Sequence, residues 1–104
     1  MSEEKEVPKH YRVILEKHPQ FAEMHERMAE AARQGGPLDG KIGHLIQLAA
    51  AASIRSEGAV HSHARRALEA GATKEEIRHA VLLLATTIGF PAVAAALDWL
   101  NDII

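Results

Sequence analysis

Apolar residues recur at intervals of three and four along nearly the whole chain, and no stretch alternates β-branched with polar residues as a half-buried strand would. The spacing predicts an all-α protein of about five to six helices. Tyr11, Ile14 and Leu15 mark a short helix from Lys9 to Lys17, and Pro19, well suited to a first turn, opens a second. The second carries Phe21, Met24, Met28 and Ala31 or Ala32 on one face and stops at Gln34–Pro37, "QGGP". Asp39 is placed to cap a third helix, Gly40 to Arg55, whose "IGHLIQLAAAASI" is apolar on nearly every side. A fourth runs from Gly58 to Ala70 and ends at Gly71, a residue type favoured just past a helix C-terminus. Thr73 and Glu76 form a capping box for a fifth, Lys74 to Thr87, with Ile77, Val81, Leu84 and Ile88 inward. Pro91 opens the last, which reaches Ile103. Residues 1–8 read as a loose tail, and 9–104 as a single helical domain.

A helix that is apolar all round has to be enclosed, and a chain of 104 residues has few helices with which to enclose it. This predicts a homo-oligomer. Ala80 to Leu97 lacks any charge over eighteen residues, the length at which a membrane span is considered. Gly89 and Pro91 interrupt it, so two short helices packed in protein are expected and no membrane segment. The acidic start "MSEEKEVPKH" is unlike a signal peptide and points to the cytoplasm.

Charge adds little: 12 Lys and Arg face 14 Asp and Glu, which gives no basic surface for nucleic acid. The absence of cysteine matters more. It excludes disulfides, thiolate nucleophiles and cysteine-held metal centres.

The remaining chemical candidates are seven histidines. His10, His18, His25 and His79 lie among charged residues and read as surface side chains. His61 and His63 form an H-x-H pair, a good chelate on a strand; on a helix two residues turn through about 200°, so the rings diverge. Ser56, Ala59 and His63 instead share one stripe, at spacings of one and two turns. His44 stands in the most apolar helix, either bonded to a backbone carbonyl or turned toward that stripe across the short connection between helices three and four.

The run "LDGKIGHLIQLAAAASIRSEGAVHSHARRALEAGATKEEIRHAV" resembles the carboxymuconolactone decarboxylase and AhpD-like family, over about Leu38 to Leu100. The resemblance implies an all-helical subunit that assembles into trimers or hexamers. In the family's peroxidase branch this stretch carries C-x-x-C-x-x-x-H with a glutamate twelve residues before the first cysteine. Those positions fall on Ser56, Ala59, His63 and His44, so three of the four differ. Thiol-dependent peroxide reduction is therefore not expected, and serine cannot replace a disulfide-forming thiol. The decarboxylase branch also lacks the cysteine pair and keeps a histidine where His63 stands and a glutamate near Glu57.

Three functions follow as expectations. The first is a thiol-independent decarboxylase-like enzyme on a small carboxylated molecule, with His63 as general acid or base, His44 as a second proton-transfer group, and Ser56 and Glu57 as hydrogen-bonding partners. Arg55 or Arg66 would hold the carboxylate, and no cofactor is called for. The second is a divalent-metal-binding module built on His44 and His63, needing His61 or Glu57 of a neighbouring subunit to complete the ligand set. The third is a catalytically degenerate family member with a structural or partner-binding role.

Overall fold

A computed structural model describes residues 9–104, apart from the side chain of His10; the expected tail, residues 1–8, lies outside the described residues. These divide after Pro37 into two compact units. In the first, α1 (Lys9–Lys17) and α2 (Pro19–Arg33) pack together, and Ala22 is buried. The break between them belongs to Pro19. Its ring disfavours helical backbone in the residue before it, and His18 takes φ −136° and ψ 64°.

The second unit contains α3 (Gly40–Ser53), α4 (Glu57–Glu69), α5 (Lys74–Leu82), α6 (Ala85–Ile88) and α7 (Phe90–Leu100). The described residues contain helices and no strand. α3 and α4 form an antiparallel hairpin, the most extensive helix pair of the fold. At its open end a Cβ on Gly40 would lie 3.8 Å from that of Ala70, and the Lys41 ammonium meets the Glu76 carboxylate at 3.0 Å. Leu48, Val60, Ile77, Val81 and Leu100 are the largest wholly buried side chains. Ala51, Ala52, Ala64, Ala67 and Ala96 fill the spaces between them. Small residues at these positions let helix axes approach closely, so an alanine-rich sequence builds a core with few large side chains.

Helix starts follow the expected chemistry. The Asp39 carboxylate accepts from the Ile42 backbone N–H at 2.9 Å, and Thr73 and Glu76 make both bonds of a capping box. Helix ends are more informative. α4 closes with Ala72 N–H donating to the Ala67 carbonyl and Gly71 N–H to that of Leu68, with Gly71 at φ 103°. α3 closes by the same paired bonds, Ser56 N–H to Ala51 and Arg55 N–H to Ala52, but the left-handed position is held by Arg55 at φ 58°. A side chain there is strained by about 1–2 kcal/mol, while glycine would add about 0.5–1 kcal/mol of freedom to the unfolded chain. Arg55→Gly is accordingly expected to stabilise the fold by about 0.5–1 kcal/mol, read as a higher urea midpoint at unchanged slope. A lower midpoint would mean that the arginine side chain contributes more than its backbone costs.

The expected fifth helix is divided. Leu83 N–H still bonds four residues back, to His79, but Leu84 N–H bonds three back, to Val81, and the regular α-helix is interrupted there before α6 begins. Ile77 and Val81 are buried as expected, and Leu84 and Ile88 pack partly against the core. Gly89, at φ 92°, then turns the chain into α7, with Pro91 in its first turn. No helix among the described residues is long and apolar enough to cross a membrane.

Candidate functional site

His44 lies one turn before Leu48 on the inner face of α3, and His63 lies beside the buried Val60, Ala64 and Ala67 stripe of α4. Antiparallel pairing sets the first half of α3 against the second half of α4. The two rings therefore meet, with Nδ1 to Nδ1 at 3.3 Å, centroids 5.5 Å apart and planes inclined by 34°. Of the two placements the sequence leaves open for His44, the structure takes the one facing His63.

Two nitrogens at this separation can share one proton: one Nδ1–H donates and the other Nδ1 accepts. Two rings both protonated at Nδ1 would repel. His63 feels this directly. Partial burial, then the neighbouring His44, then the Arg66 guanidinium all disfavour its charged form and push it down from 6.5 to about 4. Its Nε2 is the ring nitrogen that takes no part in the pair.

The other two expected site residues stand elsewhere. Ser56 occupies the N-cap of α4, where its backbone N–H closes the end of α3; its hydroxyl makes no capping bond and none to either imidazole. Ala59, which shares its stripe, packs partly against the core. Glu57 is exposed and six residues from His63, about 240° around the helix. Its carboxylate turns instead toward His61, at 3.9 Å. His61 points away from His63 as the helical period requires, to the far end of α7, where its Nε2 lies 3.0 Å from the Trp99 carbonyl and 3.2 Å from an Asp102 oxygen. The sequence reading missed this grouping. Its local signal is the Glu57-x-x-x-His61 spacing, while Asp102 comes from a helix end that only the fold brings near. Among the described residues no third histidine or carboxylate joins His44 and His63 in a possible metal site. His18, His25 and His79 are exposed, as expected.

Residues 19–102 match the carboxymuconolactone decarboxylase family. The chain belongs to that family. Two relatives from Methanocaldococcus jannaschii are similar over most of both chains. "Uncharacterized protein MJ0742" is 30% identical over 93 residues, covering 88% of this chain and 89% of the relative. "Uncharacterized protein MJ1511" is 28% identical over 91 residues, covering 88% and 85%. Neither name specifies an activity. This carboxymuconolactone decarboxylase family member has no cysteine, and its α3–α4 hairpin brings two imidazoles together.

Proposed function

We propose that the protein is a thiol-independent acid/base enzyme acting on a small carboxylated molecule, in the manner of a decarboxylase. The observation that carries this reading is the Nδ1-to-Nδ1 contact between His44 and His63. His63 Nε2 exchanges a proton with the substrate, and the shared Nδ1 proton lets His44 take up part of the charge. In a decarboxylation, the bond to the carboxylate carbon breaks, its electron pair stays on the substrate as an enolate or carbanion, and the proton held by the pair quenches it as carbon dioxide leaves.

Charge supplies the link to a carboxylated substrate. The Arg66 guanidinium adds to the burial and the His44 ring that oppose protonation of His63. A substrate carboxylate paired with Arg66 would cancel that repulsion and favour the imidazolium once substrate is in place. The test is carbon dioxide release from a panel of small carboxylated lactones and keto acids. For any substrate found, His63→Ala is expected to abolish turnover, and His44→Ala to reduce it by about 10²–10⁴-fold if the pair acts as a unit. Turnover retained by His63→Ala removes the assignment.

The subunit is also proposed to act as a homo-oligomer. Ile42 and Ile46 of α3 remain 42% and 51% exposed, so this unit does not by itself enclose a helix that is apolar on nearly all sides. Light scattering should give a mass that is a multiple of the 11.3 kDa subunit; a monomer at working concentration would refute it.

A further inference from the structure

His61, Glu57 and Asp102 form a second centre that the proposed acid/base chemistry does not use. We propose that these three side chains, with the Trp99 carbonyl, bind a divalent cation of the zinc class and so tie the first turn of α4 to the end of α7. The donor atoms of the three side chains lie within 4.8 Å of one another. His61 Nε2 is 3.0 Å from the Trp99 carbonyl oxygen, 3.2 Å from Asp102 Oδ2 and 3.9 Å from Glu57 Oε2.

His61 cannot serve all of the oxygens around it at once. One ring nitrogen carries at most one N–H, yet three oxygen acceptors converge on it. Two of these belong to carboxylates, and the third is a last-turn carbonyl at the negative end of α7. Among the described residues no lysine or arginine pairs with Glu57 or Asp102; their single basic partner is His61. Glu30 with Arg33 and Glu76 with Lys41, by contrast, have a permanent cation beside them.

The distances suit a small ion. Metal bonds of about 2.0–2.2 Å in tetrahedral geometry put donor atoms about 3.4 Å apart. The Asp102 and Trp99 oxygens already stand near that distance from His61 Nε2, and Glu57 has about 0.5 Å to close toward the same nitrogen. The carboxylates, with all three side-chain donors within 4.8 Å of one another, must turn inward to meet one ion. It can do so cheaply. The Glu57 and Asp102 side chains are exposed and turn freely, whereas His61, 21% exposed, is held by the helix packing. Glu57 and His61 also lie at i and i+4 on one helix, a spacing that presents both to the same ion. The neutral ring binds through the Nε2 lone pair with its proton on Nδ1, and one nitrogen with three oxygens suits zinc or cobalt in preference to a soft, thiolate-seeking metal.

Cobalt(II) is a visible probe for the zinc position. Full-length protein freed of metal by chelator should develop tetrahedral cobalt absorption on titration, bleached by one equivalent of zinc. Asp102→Asn and Glu57→Gln, both at exposed positions, should each weaken binding by at least about 10-fold, while His63→Ala leaves it unchanged. Zinc should also raise the melting temperature of the native protein and not that of Asp102→Asn. Absence of binding tighter than about millimolar overturns the proposal. So does binding that His63→Ala abolishes and Asp102→Asn spares, since the metal would then sit on the other histidine pair.

Discussion

Leu48→Ala should lower the free energy of unfolding by about 2–5 kcal/mol. Leu48 is wholly buried on α3 and lies in the one cluster that includes Val60, Ile77, Val93 and Leu100, drawn from α4, α5 and α7. Its loss leaves a cavity that neighbouring alanines cannot fill, because their side chains have no rotamer to swing into it. A domain of this size has little to spare, so the variant should unfold at markedly lower urea. A loss under about 1 kcal/mol would show that the α3 face is not enclosed as described.

Stability should also fall in acid through a specific window. His63 takes up its proton near pH 4 in the folded protein but near 6.5 once unfolded. Between those values the unfolded state binds more protons, so stability is greatest above about pH 6.5, declines as pH drops toward 4, and levels off for this group below it. The ring is partly exposed and solvent screens it, so the contribution is on the order of 1–2 kcal/mol. Urea midpoints measured across this range in chelator-containing buffer should show the slope, and His63→Gln should flatten it. An unchanged slope in that variant would assign the acid sensitivity to other groups.

Much of the fold was legible because its signals are local. Asp39 and Thr73 with Glu76 each fix a helix start through bonds to residues three positions away, and Pro19 does so through its ring, which disfavours helical backbone in His18. The break at Leu83 and Leu84 was not legible, since Ile77, Val81, Leu84 and Ile88 keep an unbroken helical period across it. Nor does composition announce a left-handed Arg55, because glycine is the usual signal for that conformation. For the site, helical angles correctly separated His61 from His63. They could not select the partner of either ring: His44 depends on how α3 lies on α4, and Asp102 on where α7 ends.

The two histidine centres differ in how much of the chain must be in place before they exist. His44 and His63 are nineteen positions apart on consecutive helices, so the loop that joins them costs little closure entropy. Trp99 is thirty-eight positions from His61, and that contact waits until α7 docks. In contact-order terms the first centre spans half the sequence separation of the second. Fraying beyond Leu100 would dismantle the carboxylate-rich centre while leaving the imidazole pair standing, so the end of α7 can loosen without disturbing the proposed chemistry.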